Sequence, residues 1–61
     1  MPIVQIDMLE RTVEQKREIV KQITQTIVTV AKCPPEAVTI IIRDTPKENL
    51  GKAGVLRCDQ K

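Results

Sequence analysis

A chain of 61 residues has room for one domain, and a domain this small buries only roughly 60% of the surface that its unfolded chain exposes. Ten Lys and Arg residues against eight Asp and Glu residues give a formal net charge of +2, and the chain has no Phe, Trp or Tyr. Nucleic-acid binders usually carry a basic block or aromatic rings on which bases stack. The composition therefore argues against a nucleic-acid partner.

A small core predicts stabilisation by a disulfide, a metal or oligomerisation. Cys33 and Cys58 stand alone, the chain has no histidine, and a zinc site needs about four N or S ligands. We expect no metal site. Neither a signal sequence nor an apolar run of about 20 residues is visible, which predicts a soluble, cytoplasmic protein with reduced thiols and no membrane partner. Oligomerisation is the remaining source of stability.

The first predicted element is a strand from Ile3 to Leu9, because apolar and polar residues alternate there. The alternation places Val4, Ile6 and Met8 on one face, and Ile3, Gln5, Asp7 and Leu9 on the other. A helix is predicted next, since Thr12 and Gln15 match a capping box. Its predicted apolar stripe comprises Val13, Val20, Ile23, Ile27 and Val30, widened by Ile19, Val28 and Ala31. The helix should end near Lys32, ahead of two prolines.

A second strand is predicted from Val38 to Arg43, with Val38, Ile40 and Ile42 on its apolar face and Thr39, Ile41 and Arg43 on the other. Strand, helix and strand in this order predict a βαβ unit with parallel strands. A loop should follow from Thr45 to Gly54, and then a short strand or hairpin arm from Val55 to Arg57. The fold class is thus α/β (α+β). One helix covers one sheet face, so a second subunit should cover the other.

Two residues stand out as candidates for chemistry. If Met1 is removed, Pro2 becomes a secondary amine, and an apolar site or nearby positive charge lowers the pKa of such an amine towards that of a useful base. Alternatively, Pro2 is simply tolerated at the start of a strand. Arg11 either clamps a carboxylate with two parallel hydrogen bonds or is a solvated arginine neutralised by Glu10 and Glu14. The lack of histidine excludes His-dependent nucleophilic catalysis, and no Gly-rich phosphate loop is present.

Several short segments occur here in an order that resembles a known family. They are Pro2-Ile3-Val4-Gln5-Ile6 with Leu9-Glu10, then Glu14-Gln15-Lys16, Val38 to Ile42, and Leu50-Gly51 with Gly54. Together they resemble the 4-oxalocrotonate (2-hydroxymuconate) tautomerase family over almost the whole chain, as a single domain of residues 1–61 with a C-terminal hairpin. The resemblance implies a homo-oligomer, commonly a hexamer built as a trimer of dimers, with active sites at subunit boundaries.

The resemblance also implies the reaction and its residues. Pro2, freed of Met1, would move a proton between the 2-hydroxy group and a distant carbon of an enol acid, without a cofactor. Arg11 would bind a substrate carboxylate. The family's second-strand arginine falls at Thr39, and Arg43 on the same strand face is a candidate substitute. The family's pocket aromatic falls at Leu50, and Leu9 completes the implied substrate-binding set.

Other functions are compatible with the same residues. One is a different reaction of the tautomerase superfamily, such as dehalogenation or decarboxylation of a small acid. Another is a non-catalytic oligomeric binding protein, because ribbon-helix-helix DNA binders also begin with a strand followed by a helix. Those binders need a second helix, whereas Val38 to Ile42 has the pattern of a strand. A purely structural oligomer is the third alternative.

Overall fold

A computed structural model describes residues 1–60 of the chain. It contains β1 (Ile3–Met8), α1 (Val13–Ala31), β2 (Thr39–Asp44), β3 (Gly51–Lys52) and β4 (Val55–Leu56). Short 3-10 turns cover Pro35–Ala37, Lys47–Asn49 and Arg57–Asp59. We call residues 3–44 the βαβ body and residues 46–60 the C-terminal arm. No helix in the described residues is both long and apolar enough to cross a bilayer.

The body has the predicted parallel pair of strands. Strand β1 pairs with β2 so that Ile3 lies opposite Thr39 and Asp7 lies opposite Arg43. Val4 and Ile6 of β1 and Ile40 and Ile42 of β2 are half-buried beneath the helix, as their alternation predicts. The fold class predicted from the sequence is confirmed. Strand β1 ends at Met8, one residue earlier than expected, so Leu9 lies just beyond the strand and is half-buried.

The helix begins at the predicted capping box. The Gln15 backbone N–H donates to the Thr12 hydroxyl at 3.1 Å, and the Thr12 backbone N–H donates to the Gln15 side chain at 3.0 Å. These two bonds satisfy donors that the first turn of a helix leaves free. The helix ends at Lys32, whose left-handed backbone (φ 56°) lets its N–H donate to the Val28 carbonyl at 3.1 Å.

The apolar stripe of the helix is shorter than the sequence predicted. Its half-buried apolar residues are Ile19, Ile23, Ile27 and Val28, whereas Val13, Val20, Val30 and Ala31 are exposed. A helix of 19 residues is about 28 Å long, whereas six-residue strands span about 20 Å. The ends of the helix therefore extend past the sheet, and Val30 is left 75% exposed.

The opposite face of the sheet is open within the chain. It carries Ile3, which is 61% exposed, together with Ile41, Thr39 and the Asp7–Arg43 pair. None of residues 1–60 is fully buried, so the chain on its own encloses no closed core. Burial of apolar surface is the main driving force for folding. We therefore expect this open face to be covered by another molecule.

The C-terminal arm leaves the body after Thr45. The predicted loop from Thr45 to Gly54 contains a 3-10 turn and strand β3, which pairs with β4 through a two-residue turn at Ala53 and Gly54. Both turn residues have positive φ, 54° and 80°, and glycine adopts this conformation at little cost. Every residue from 46 to 60 is exposed. The radius of gyration is 14.7 Å, against about 10.5 Å for a compact chain of this length, because the arm extends outwards.

Candidate active site

Pro2 lies half-buried at the amino-terminal end of β1. Its carbonyl oxygen accepts a hydrogen bond from the Thr39 backbone N–H at 3.0 Å, which extends the pairing of β1 with β2 by one residue. Met1 precedes it and is 93% exposed. While Met1 is attached, the Pro2 nitrogen is an amide. Removal of Met1 would leave a secondary amine at the end of an ordered strand, on the residue whose carbonyl the Thr39 backbone holds.

Arg11 lies at the other end of β1, in the connection to the helix. Its guanidinium donates to the Glu10 carbonyl oxygen at 2.9 Å and forms no ion pair with any of residues 1–60. It borders an open depression together with Glu10, Thr12 and Gln15. The Thr12 and Gln15 side chains are occupied, because each bonds the other residue's backbone. The cationic hydrogen-bond donors of this depression are therefore those of Arg11. Such a group can bind a carboxylate.

Arg43 is occupied by a partner within the chain. Its Nε donates to Asp7 Oδ1 at 2.7 Å and a terminal nitrogen donates to Asp7 Oδ2 at 3.2 Å. The two residues are direct register partners on adjacent strands. The hydrogen bond from Arg43 lowers the pKa of the Asp7 carboxyl, and the same bond raises the pKa of Arg43. The positive charge of Arg43 is thus already neutralised by Asp7. The sequence pattern alone did not predict this partner.

The predicted site residues fall into two groups at opposite ends of the sheet. Pro2 and Thr39 lie where the parallel strands begin, and Leu9, Arg11 and Arg43 lie where the strands end. The six residues of β1 separate the two groups by about 20 Å. One copy of the chain therefore does not bring Pro2 and Arg11 to a common small molecule.

Leu50 belongs to neither group, because it lies in the arm just before β3 and is 40% exposed. The Arg57 backbone N–H donates to the Leu50 carbonyl oxygen at 2.7 Å, so the hairpin brings these two residues side by side. Arg57 is not among the site residues predicted from the sequence. A signal was available, since a two-residue turn at Ala53 and Gly54 folds the following residues back towards Leu50.

The remaining charged and sulfur-bearing groups form no further centre. Lys16 of the helix pairs with Asp44 at the end of β2 at 2.9 Å. Cys33 is half-buried, Cys58 is exposed, and both are free thiols. Within residues 1–60 no group of three or more His, Cys, Asp or Glu side chains is placed to hold a metal ion.

Comparison with known proteins shows the family. Residues 2–59 match the Tautomerase family of tautomerase enzymes. The chain is 45% identical over 56 residues to a 2-hydroxymuconate tautomerase of Comamonas testosteroni, with 90% of this chain and 89% of that protein covered. It is 41% identical to a 4-oxalocrotonate tautomerase isozyme of Methylibium petroleiphilum, whose structure superposes with a TM-score of 0.89 over 93% of this chain and 94% of that one.

A third similar structure is that of a heterohexameric 4-oxalocrotonate tautomerase from Chloroflexus aurantiacus. The superposition covers all of this chain and all of that one, with a TM-score of 0.93 and 26% sequence identity. The chain belongs to the tautomerase family, and it is an enzyme rather than a non-catalytic binding protein. The ribbon-helix-helix alternative also fails on the fold, because β2 occupies the place of the required second helix.

Proposed function

We propose that this protein is a cofactor-independent enol-keto tautomerase of 2-hydroxy-dienoates such as 2-hydroxymuconate, with Pro2 as its general base. The observation that carries the proposal is the position of Pro2. The family match begins at this residue, which follows Met1 and lies half-buried where the pairing of β1 with β2 starts. Similarity to 2-hydroxymuconate tautomerases over nine-tenths of the chain supports this substrate class.

The proposed chemistry is a proton transfer in two steps. The free Pro2 amine takes the proton of the 2-hydroxy group, and the electron pair moves through the conjugated double bonds. Protonated Pro2 then returns a proton to a distant carbon, which yields the 2-keto acid and restores the amine. A base acts best when its pKa lies near the working pH. The half-buried position of Pro2 favours the neutral amine, because burial disfavours its charged form.

Arg11 is the proposed carboxylate-binding residue, and it must come from another subunit. Pro2 and Arg11 of one chain are separated by about the 20 Å length of β1. A neighbouring copy that brings its strand ends to the Pro2 end of the first copy would complete the site. The open sheet face, with Ile3 61% exposed, is a surface that such a copy can cover. We propose a homo-oligomer, a hexamer built as a trimer of dimers.

Pro2→Ala tests the base directly. The intact mass of the purified protein first establishes that Met1 is absent, and ketonisation of 2-hydroxymuconate is then followed by absorbance. We expect Pro2→Ala to lower kcat by about 100- to 10,000-fold, the usual range for a positioned general base. Assembly measured by light scattering should not change, because the Pro2 carbonyl that accepts from Thr39 is retained.

Pro35→Ala is the matched control, since Pro35 opens a 3-10 turn and has no proposed chemical role. It should keep wild-type kcat. Wild-type protein that lacks Met1 and does not ketonise any 2-hydroxy-dienoate would refute the proposal. So would a Pro2→Ala variant with wild-type activity.

A further inference from the structure

The C-terminal arm forms a concave surface of its own. The bond from the Arg57 backbone N–H to the Leu50 carbonyl, at 2.7 Å, closes the base of the hairpin. The resulting depression has a volume of about 490 Å³, within the range of roughly 300–1,000 Å³ typical of small-molecule sites. It is lined by Leu50, Gly51, Lys52, Arg57 and Gln60.

The charges in this depression are of one sign. Its lining contains two cations, Lys52 and Arg57, and no acidic residue among the described residues. Arg57 donates to the neutral Gln60 side chain oxygen at 3.1 Å and forms no ion pair within residues 1–60. Asp59 is close in sequence but outside the lining. Most donors of the Arg57 guanidinium are therefore available to a ligand.

Arg57 differs in this respect from Arg43, which lies within β2. Both oxygens of Asp7 hold Arg43, whereas Arg57 has only an amide partner. A carboxylate ligand would have to displace Asp7 from Arg43 but would meet no competing anion at Arg57. Of these two arginines, the one that is free to bind is thus Arg57, whose backbone is bonded to that of the apolar residue Leu50.

We propose that Arg57 is a further substrate-binding residue and that it selects dicarboxylic enol acids. Its guanidinium binds one carboxylate in two parallel hydrogen bonds, the geometry in which arginine is most effective. Leu50 contacts the carbon chain, and Arg11 of another subunit binds the second carboxylate. The inference rests on the proposed function, and it requires that assembly also bring the arm of one copy beside the Pro2 of another.

Arg57→Gln tests this selection by kinetics. Loss of a charged hydrogen-bond partner should weaken the apparent binding of the dicarboxylate 2-hydroxymuconate, seen as a rise in KM by about 10- to 100-fold. For the monocarboxylate 2-hydroxy-2,4-pentadienoate, KM should change by less than about 3-fold, since a monoacid needs only Arg11. Arg57→Lys should recover part of the dicarboxylate binding, because it keeps the charge without the planar fork. A purely structural role for Arg57 predicts equal losses on both substrates.

Arg17→Gln is the matched control, because it removes the same side chain from an exposed position of the helix that forms no ion pair within residues 1–60 and does not line the depression. It should leave the ratio of the two KM values unchanged. The proposal is overturned if Arg57→Gln alters both substrates equally or neither, or if Arg17→Gln reproduces the loss of dicarboxylate binding.

A binding measurement separates this proposal from the proposed function. Adipate is an unreactive six-carbon dicarboxylate, and hexanoate is its monocarboxylate counterpart. In calorimetric titrations of the assembled protein, Arg57→Gln should weaken adipate binding by at least about 10-fold and leave hexanoate binding unchanged. An inactive wild-type protein would overturn the proton-transfer function. An adipate affinity that is insensitive to Arg57 would overturn the role of Arg57, whatever the activity.

Discussion

The βαβ body and the C-terminal arm obtain their order in different ways. In the body, the apolar side chains of β1 and β2 alternate, and the helix half-buries one set of them. In the arm, every residue from 46 to 60 is exposed, including the apolar Leu50, Val55 and Leu56. The hairpin strands β3 and β4 are two residues each. An isolated hairpin of this size is marginal in water.

This difference shows where a partner is required. The body has a capped helix and a parallel strand pair, so much of its structure is specified within the chain. The arm has only its own turn and a few backbone bonds, such as that between Arg57 and Leu50. Its apolar side chains gain burial only against another molecule. We therefore expect the arm to depend on assembly much more than the body does.

Leu56→Asp should have the largest effect of the changes that test this comparison. Leu56 is 41% exposed within the chain, so burial of this remaining surface contributes about 0.6–1.2 kcal/mol per copy, the same fraction of the roughly 1.5–3 kcal/mol for a fully exposed leucine. An aspartate there would also place an unpaired charge in the interface. We expect size-exclusion chromatography with light scattering at micromolar concentration to show mostly dissociated protein.

Asn49→Asp is the control for Leu56→Asp. It adds the same charge to an exposed polar position of the arm and removes no apolar group. It should assemble as the wild type does. A Leu56→Asp variant with the wild-type molar mass and melting temperature would show that the arm is not an interface.

The sequence predicted the body well because its elements have local signals. Alternation located both strands to within one residue, and the Thr12 capping box located the start of the helix. The prediction of the helix's apolar stripe was wrong at its ends, where Val13 and Val30 are exposed, and this error has a geometric cause. Periodicity shows which residues share a face, but it does not show how far a neighbouring sheet extends along that face.

The site was predicted less completely, for reasons that lie beyond local pattern. Pro2 and Arg11 were candidates from the residues alone and received their roles by resemblance, and their separation by six strand residues could have been counted from the sequence. The pairing of Arg43 with Asp7 could not be predicted in this way, because the register of β1 against β2 depends on how the helix returns the chain to the sheet. Arg57 was missed because strands of two residues have no periodicity to detect, so the turn at Ala53 and Gly54 was the only signal that it lies beside Leu50.

Thr12→Ala should have an intermediate effect, confined to the body. The Thr12 hydroxyl accepts the Gln15 backbone N–H at 3.1 Å, and loss of such a cap costs about 1 kcal/mol. We expect a lower melting temperature by circular dichroism with an unchanged subunit number. Thr29→Ala is the control, since this exposed helical threonine caps nothing. Dissociation of Thr12→Ala at temperatures where its helix is intact would contradict the separation of body and arm.

Asp7→Asn should have the smallest effect, because the Asp7–Arg43 pair is exposed in the chain and exposed ion pairs contribute little. Its effect has a defined pH dependence. Arg43 lowers the pKa of the folded Asp7 below its ordinary value of 3.8, so the ionised carboxylate stabilises the fold above that value. This contribution decreases as the pH falls through the lowered pKa.

The difference in melting temperature between wild type and Asp7→Asn should therefore be constant from pH 5 to 8 and should diminish below a pH of about 4. Thermal scans at a series of pH values measure it. A difference that grows on acidification would show that the unfolded state, not the folded one, holds Asp7 at the lower pKa. If assembly covers the open face, the difference should exceed that of an exposed pair, because removing one partner from a covered pair leaves an unpaired charge. The size of the plateau thus reports whether a second copy rests on the sheet.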